Sequence, residues 1–171
     1  GFWDIQGVYV NFSVNVSGIQ LQTEGFAEGL GRILQRVPGL DPGRLDLEIL
    51  ESSTLGELDK AVTTIEECRR LGVTFSLDDF GVGFASFNYM RELPIDIIKI
   101  DGIFIQNLDI NKDDQLFVKA LIDVAKGLGR QTIAEYVENE AILHILQRYG
   151  VDFAQGFYIG KPQQDLLPES D

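Results

Sequence analysis

The chain has 171 residues, and its 14 Lys or Arg against 27 Asp or Glu give a formal net charge of -13. Such acidity argues against a surface for DNA, RNA or anionic membranes, because each of these partners requires a basic patch. With 44% hydrophobic and 24% charged residues the composition is that of a globular protein. Its apolar runs fall far short of the roughly 18 residues that a membrane-spanning helix requires.

The first half of the chain alternates predicted strands and helices. Apolar residues at every second position of 8–16 predict a strand, and apolar residues at helical spacing predict a helix over 24–37. The segment 45–50 (LDLEIL) is the next predicted strand. A helix that stops at Gly72 follows it, and 73–77 (VTFSL) is a further strand.

The second half continues the alternation. Residues 95–100 (IDIIKI) form a nearly continuous apolar run, which is typical of a strand buried on both faces. A helix over 112–128 precedes a strand at 132–137, and a helix over 138–149 precedes the last apolar segment, 151–159. Helices that end in glycine and lead into apolar strands indicate a parallel sheet. The pattern predicts one α/β domain with about six strands, either a barrel or an open doubly wound sheet.

Polar residues follow nearly every predicted strand at its carboxyl end. Each can bind a hard cation or move a proton: Asn15, Glu51, Asp78, Asp79, Lys99, Asp101, Glu135 and Gln155. In a parallel α/β fold these ends meet on one face, and converging carboxylates repel one another unless a cation is present. An all-oxygen ligand set favours magnesium, manganese or calcium over zinc, and a pair of such ions is typical of phosphodiester hydrolysis.

Each of these residues also has a structural interpretation. Asp, Asn and Gln at strand ends are common helix caps and turn residues. Lys99 is either a surface lysine on an edge strand or a buried cation that stabilises a phosphate oxygen or hydroxide. Glu48 lies three residues before Glu51, on the opposite face of an extended strand, and is interpreted as structural. Gly81 and Gly83 form either a plain turn or a loop that gates the site.

Six segments resemble, in order and spacing, the EAL-type phosphodiesterases that hydrolyse cyclic di-GMP. They are NVSGIQL at 15–21, LEILES at 47–52, DDFGVGFAS at 78–86, IIKID at 97–101, IAEYVE at 133–138 and QGFYIGKP at 155–162. The resemblance covers nearly the whole chain. It implies a single EAL-type domain over 1–171, folded as a TIM-like (β/α) barrel that is incomplete at its N-terminus, with the first strand and helix missing.

The resemblance also implies a bacterial second-messenger activity, the linearisation of cyclic di-GMP to pGpG with two Mg²⁺ or Mn²⁺ ions. The implied metal ligands are Asn15, Glu51, Asp78, Asp79, Glu135 and Gln155. Lys99 and Glu135 are the implied catalytic residues, with Lys99 orienting or activating water, and Glu138 supports the pocket. The loop of Phe80, Gly81, Val82 and Gly83 would couple dimer contact to metal binding.

The chain departs from the family pattern in several places. The family's first strand carries a ligand glutamate that has no counterpart here, so we expect weak or absent turnover by this chain and activity in a longer parent. Leu50 and Val82 replace threonines, and Tyr136 replaces a glycine beside Glu135, where it could crowd the pocket. Unpaired sheet edges predict a homodimer or higher oligomer.

Cellular location follows from the cysteine content and the start of the chain. Cys68 is the only cysteine, which favours a reducing, cytoplasmic setting. The chain begins Gly-Phe-Trp without an initiator methionine or signal peptide. We therefore expect this chain to be a cytoplasmic piece of a longer protein, for which a membrane-attached sensor is one option. We expect no membrane insertion of this chain itself.

Two rival functions remain open at this point. One is a receptor that binds cyclic di-GMP without hydrolysing it, which the missing first-strand glutamate favours. The other is a different Mg²⁺-dependent TIM-barrel enzyme that acts on a phosphorylated or enolisable substrate.

Overall fold

The structure is a computed structural model that describes residues 10–51, 57–82 and 86–162. Six strands in these residues form one sheet, and every neighbouring pair is parallel. The strands are β1 (Phe12–Asn15), β2 (Leu45–Leu50), β3 (Thr74–Phe80), β4 (Ile97–Ile100), β5 (Gln131–Ala134) and β6 (Phe153–Ala154).

The strand order decides between the two predicted architectures. The strands lie side by side in chain order, β1 to β6, with no reversal. A doubly wound sheet reverses its order at a switch point, whereas a (β/α) barrel adds each strand beside the previous one. The fold is therefore the predicted TIM-like barrel in incomplete form, an arc of consecutive parallel strands.

Seven α-helices in the described residues connect and cover the strands. They are α1 (Gly18–Leu21), α2 (Phe26–Gln35), α3 (Leu58–Arg69), α4 (Ser86–Glu92), α5 (Gly102–Ile105), α6 (Lys112–Gly127) and α7 (Glu140–Tyr149). Side-chain caps begin several of them: the Asn139 side chain, for example, accepts a hydrogen bond from the Ile142 N–H at the start of α7. None of the helices in the described residues is long and apolar enough to cross a membrane.

The helix-covered face of the sheet forms the core. Leu47 pairs with Phe75 and Ile49 with Leu77 across β2 and β3, and all four are buried. Because paired residues of neighbouring parallel strands point to the same face, these positions form one apolar layer beneath the helices.

The opposite, inner face of the arc is polar. Asp46 pairs with Thr74, and Glu48 pairs with Ser76. The Asp46 carboxylate accepts hydrogen bonds from Thr74 Oγ1 at 3.0 Å and from Ser76 Oγ at 2.5 Å. Burial raises the pKa of Asp46 despite these two hydrogen bonds. The alternation of apolar and polar residues along β2 and β3 thus builds a core on one side and a polar surface on the other.

The last predicted strand is much shorter than its apolar pattern indicates. Of the segment 151–159, only Phe153–Ala154 pairs with β5. The chain then turns back, with the Tyr158 N–H donating to the Val137 carbonyl and the Ile159 N–H donating to the Gly156 carbonyl, each at 3.0 Å. These local hydrogen bonds replace the strand and place the segment over the carboxyl end of the sheet.

Candidate functional site

Lys99 lies on β4, an interior strand of the sheet, and several carboxylates surround it. Its Nζ lies 2.8 Å from Asp78 Oδ1, 3.0 Å from Glu135 Oε1 and 3.1 Å from Glu48 Oε1, and its side chain is 8% exposed. One ammonium group thus joins carboxylates from β2, from β3 and from the end of β5. The alternative of a surface lysine on an edge strand is wrong, because Lys99 is buried in the interior of the sheet.

Three carboxylates gather beside Lys99. One oxygen from each of Asp78, Asp79 and Glu135 lies within 4.8 Å of the others, so the three could hold a metal ion. Together with Glu48, they place four negative charges against the one positive charge of Lys99, a formal excess of three negative charges. A divalent cation would relieve this repulsion, and carboxylate oxygens are the ligands that Mg²⁺ and Mn²⁺ prefer. The donor set therefore fits such an ion.

A β-bulge brings the two consecutive aspartates to the same cluster. In a regular strand Asp78 and Asp79 would point to opposite faces. The register with β4 shifts between Leu77 and Phe80, where three steps along β3 match two steps along β4. Asp79 has a φ of 54°, in the left-handed region that aspartate tolerates better than most residues. The bulge turns its side chain toward Asp78 and Glu135.

The pKa values in the cluster reflect one cation shared among several anions. Burial lowers the pKa of Lys99, but its hydrogen bonds to Asp78 and Glu135 outweigh burial and hold that pKa above its ordinary value. Burial, with the charges of Asp78 and Asp79, raises the pKa of Glu135 although its contact with Lys99 lowers it. Burial, followed by the charges of Asp78 and Asp101, raises the pKa of Asp79. The carboxylates more than balance the charge of the one ammonium, but one ammonium does not balance the charges of all the carboxylates.

The Glu51 carboxylate points to the loop after β3. Its Oε2 accepts a hydrogen bond from the Gly81 N–H at 2.8 Å, and the residue is buried. Gly81 has a φ of 109°, and a Cβ there would lie 2.7 Å from Phe104, whose ring packs on Phe117 with centroids 4.4 Å apart. The loop is thus held between Glu51 and this aromatic pair.

The predicted gating loop is described only in part. Phe80 is buried, Gly81 is half-buried and Val82 is exposed, whereas Gly83 lies outside the described residues. The position of Gly81 between Glu51 and Phe104 connects this loop physically to the helices α5 and α6.

The acidic cluster opens into a cavity of about 900 Å³. Its lining residues come from the ends of β3, β5 and β6 and from the segment after β6: Asp78, Asp79, Glu135, Tyr136, Glu138, Ala154, Gln155, Gly156, Phe157, Ile159, Gly160, Lys161 and Pro162. Five of the predicted site residues are among them. A cavity of this size is typical of sites for small molecules and cofactors.

The remaining predicted residues lie elsewhere. Asn15 is exposed at the end of the edge strand β1 and does not line the cavity. Asp101 caps α5, where its side chain accepts a hydrogen bond from the Ile103 N–H at 2.7 Å. Glu51 is outside the cluster formed by Asp78 and its neighbours. Their predicted ligand roles remain predictions.

Glu48, which the sequence pattern led us to interpret as structural, contacts Lys99 of the candidate site. Its carboxylate binds Lys99 on the inner face of the sheet, whereas the Glu51 carboxylate binds the loop. The alternation along β2 contained the signal, because Asp46 and Glu48 are polar whereas Leu47 and Ile49 are buried. Glu48 shares the face that Ser76 and Asp78 occupy on β3 and is therefore part of the candidate site.

The chain matches a family model and curated relatives over most of its length. Residues 3–162 match the model described as EAL domain. Cyclic di-GMP phosphodiesterase PdeB of Shewanella oneidensis is 41% identical over 151 residues, which is 88% of this chain and 18% of that protein. The chain thus spans about a fifth of the length of the curated relatives it matches.

Solved structures share the fold of the described sheet. The EAL domain of Mycobacterium smegmatis DcpA has a TM-score of 0.88 and 37% identity, covering 94% of this chain and 73% of that one. The PaMucR phosphodiesterase in complex with c-di-GMP has a TM-score of 0.83 and 34% identity, covering 95% of this chain and 66% of that one. The match to the family model, the relative and these two structures leads to one conclusion: the chain belongs to the EAL domain family.

Proposed function

We propose that this chain acts on cyclic di-GMP and that its site hydrolyses the dinucleotide to pGpG with Mg²⁺ or Mn²⁺. The observation that carries the proposal is the cluster of Asp78, Asp79 and Glu135 around Lys99 at the floor of a cavity of about 900 Å³. The names of relatives support the same substrate, because PdeB is a cyclic di-GMP phosphodiesterase and PaMucR is a phosphodiesterase in complex with c-di-GMP.

The metal would be held by the carboxylates that surround Lys99. We assign Asp78, Asp79 and Glu135 to this role, and Glu48 joins them because its carboxylate shares the same ammonium. Gln155 lines the cavity and is a further candidate ligand. A divalent cation bound there would supply Lewis-acid stabilisation of the negative charge that develops on the phosphate.

Lys99 has the position of a residue that orients the reactants. Its ammonium faces three carboxylates, and a carboxylate that turns to a bound cation would free one N–H to donate to a water molecule or to a phosphate oxygen. Donors that are held in place before the reaction stabilise charge without reorganisation. We therefore assign to Lys99 the orientation of the attacking water, and to Glu135 a catalytic role beside it.

The reaction needs water as the only co-reactant. The water oxygen bonds to one phosphorus atom of the cyclic dinucleotide, and the bond from that phosphorus to a 3′ oxygen breaks. The 3′ oxygen takes up a proton, and the second proton of water is released to solvent. One phosphodiester is opened and the other is retained, which gives the linear dinucleotide pGpG.

Two further elements have supporting roles in the proposal. Glu138 lines the cavity two residues after Tyr136 and supports the substrate pocket. The loop that contains Gly81 transmits contacts between the site and the helices α5 and α6, because Gly81 contacts Glu51 on one side and Phe104 on the other.

We also propose that the chain is one domain of a longer cytoplasmic protein. The described strands form a single sheet, and the chain spans 18% of the PdeB sequence. Fractionation of cells that produce the tagged full-length parent tests the location. Recovery of the domain on the outer side of the membrane would contradict this proposal.

The proposed activity is tested by following pGpG formation from cyclic di-GMP by chromatography. We expect product with Mg²⁺ or Mn²⁺ and none with EDTA from a form extended upstream, in which variants are compared, and weak or no product from the chain itself. Glu135→Gln should lower the rate by about a hundredfold or more, whereas Asp123→Asn, an exposed carboxylate on α6, should not change it.

The outcomes separate the rival functions. Binding of cyclic di-GMP without turnover in both forms would assign the chain to the receptor class. Neither binding nor turnover would contradict the proposal altogether.

The ligand set is tested separately with a matched pair of glutamates. Glu48→Gln should weaken Mn²⁺ binding, because the carboxylate at this position joins the cluster. Glu51→Gln should leave it nearly unchanged, because an amide oxygen can still accept the Gly81 N–H. The reverse order of effects would support the predicted role of Glu51 as a metal ligand and contradict that of Glu48.

A further inference from the structure

Tyr136 has a backbone conformation that bulky residues rarely adopt. Its φ is 54°, and among the described non-glycine residues only Asp79 also has a positive φ. Aspartate tolerates this left-handed region because its short side chain can bond locally, whereas a larger side chain meets steric conflict there. A strained residue that lies next to a cluster of functional side chains is a reason to look for a function.

The flanking hydrogen bonds fix this conformation. The Glu135 N–H donates to the Ile100 carbonyl at 3.2 Å, and the Val137 N–H donates to the Gln155 carbonyl at 3.0 Å. Tyr136 lies between these two anchored residues. The backbone would have the same path with glycine at this position, which would adopt it with little strain. The fold therefore does not require the tyrosine ring.

The ring lies against the start of α5 and at the wall of the cavity. A Cβ on Gly102 would lie 2.2 Å from Tyr136 Cδ2, so the ring packs directly on the Gly102 backbone. Tyr136 nevertheless remains 55% exposed, and it lines the same cavity as Asp79 and Glu135. The backbone orients the ring, the Gly102 surface supports it, and part of the ring is open to a ligand.

A second aromatic side chain lines the cavity but differs in its surroundings. Phe157 is also exposed, and Lys161 Nζ lies 5.6 Å from the centroid of its ring. This ammonium already interacts with the ring of Phe157. Tyr136 follows Glu135 of the acidic cluster in the chain. It is therefore the aromatic residue placed to contact a ligand whose phosphate reaches that cluster.

We propose that Tyr136 is a binding residue whose ring stacks on one purine base of a cyclic dinucleotide while a phosphodiester of the same ligand lies at the neighbouring carboxylate cluster. The inference rests on the proposed function, because it takes the dinucleotide as the ligand. Stacking of a base on an aromatic side chain is favourable for any base, since every base has a π-face. The conformational strain at Tyr136 is then maintained because it holds the ring in place before the ligand binds.

Three variants separate the effect of the aromatic ring on binding from the effects of side-chain bulk and of backbone strain. Tyr136→Phe keeps the aromatic face, Tyr136→Leu keeps a large apolar side chain on the strained backbone, and Tyr136→Gly removes both. Phe87→Ala is the matched control, because Phe87 is 60% exposed on α4 and does not line the cavity. The probe is a phosphorothioate analogue of cyclic di-GMP, which resists hydrolysis, and its Kd is measured by calorimetry in Mg²⁺.

We expect Tyr136→Leu and Tyr136→Gly to bind about 5- to 100-fold more weakly, the range that loss of one stacked base gives. Tyr136→Phe and Phe87→Ala should bind within about twofold of the wild-type chain. The melting temperature of Tyr136→Gly should not fall by more than about 4 °C, because relief of strain offsets the lost ring contacts.

Gly102→Ala gives an independent check. Its methyl group would displace the ring, so binding should weaken when Tyr136 is present and should not change further in the Tyr136→Gly background. Equal affinity of the wild-type, Tyr136→Leu and Tyr136→Gly chains would overturn the role of Tyr136 while leaving the proposed substrate intact. Absence of binding by the wild-type chain would overturn the proposed function and this inference together.

Discussion

At the scale of single residues, the positive charge of Lys99 reduces the repulsion between the carboxylates of the site. Its ammonium contacts Asp78, Glu135 and Glu48, and all four side chains are largely removed from solvent. Removal of one partner from a buried ionic group leaves the others without compensation, and this loss is much larger than for exposed pairs. Lys99 is therefore important for the stability of the folded site, besides the role that we propose for it in the reaction.

The buried ion pairs of Lys99 should stabilise the folded chain. Lys99→Met should lower the free energy of unfolding by about 3–5 kcal/mol, because three carboxylates lose their shared cation. Lys119→Met removes an exposed i,i+4 ion pair with Asp123 on α6 and should lower it by at most about 1 kcal/mol. Urea unfolding in EDTA measures both. Equal losses in the two variants would contradict the buried ionic cluster.

The buried thiol of Cys68 should make the stability of the chain depend on pH. Burial, with smaller contributions from the charges of Glu67 and Glu28, raises the pKa of the Cys68 thiol from its ordinary value of 9.0 to about 11. The unfolded chain therefore ionises first, and the free energy of unfolding should fall by about 2–3 kcal/mol as the pH rises from about 9 to about 11. Cys68→Ala should lack this part of the fall. Parallel pH profiles for the two proteins would contradict it.

At the scale of elements, the ends of the strands decide which side chains meet. The apolar alternation predicted where the strands lie, because burial on one face imposes a period of two. It could not predict the bulge in β3, since a register shift depends on the neighbouring strand β4. For the same reason the sequence placed Glu51 rather than Glu48 in the site: the pattern showed that they lie on opposite faces but not which face carries Lys99.

Other elements were not predicted because their signals are local. The helix α1 has four residues and begins with a capping box between Ser17 and Gln20, a signal too short to distinguish from a turn. The last strand was overestimated, because Phe157 and Ile159 are apolar residues that line the cavity instead of extending β6. Apolar residues that line a cavity can give the same sequence pattern as a buried strand.

The segment after β6 supplies a prediction about glycine. A Cβ at Gly156 would lie 2.2 Å from the Val137 N and 2.4 Å from its carbonyl oxygen. Gly156→Ala should therefore push the segment away from the end of β5, lower the free energy of unfolding by about 2 kcal/mol or more and weaken ligand binding. Gly160→Ala is the matched control, because its added Cβ would meet no atom within 4 Å. Similar stability of both variants in thermal unfolding would contradict the close approach.

At the scale of the whole molecule, the described sheet is an arc with two edges, β1 and β6. All four residues of β1 are exposed, including Phe12 and Val14. A parallel barrel closes on itself and has no edges, whereas an arc presents unpaired backbone groups that invite association with another strand. The alternation of strands and helices left barrel and doubly wound sheet open, the family resemblance implied the barrel, and the strand order confirms it.

The exposed edge predicts self-association of the chain as given. Light scattering after size exclusion should show a dimer or larger species rather than the 19.1 kDa monomer. Val14→Lys places a charge on the edge strand and should shift the population toward monomer, whereas Ile110→Lys, at an exposed position away from the sheet edge, should not. A monodisperse wild-type monomer would contradict this prediction.

The account depends most on the ability of carboxylates from separate strands to bind divalent cations together. Titration with Mn²⁺, followed by the loss of the electron paramagnetic resonance signal of the free ion, measures this directly. The wild-type chain and the exposed-site variant Asp123→Asn should bind Mn²⁺ alike, and Asp79→Asn should bind at least about tenfold more weakly, because one carboxylate of the cluster is lost. Equal affinity of Asp79→Asn and the wild-type chain would contradict the account.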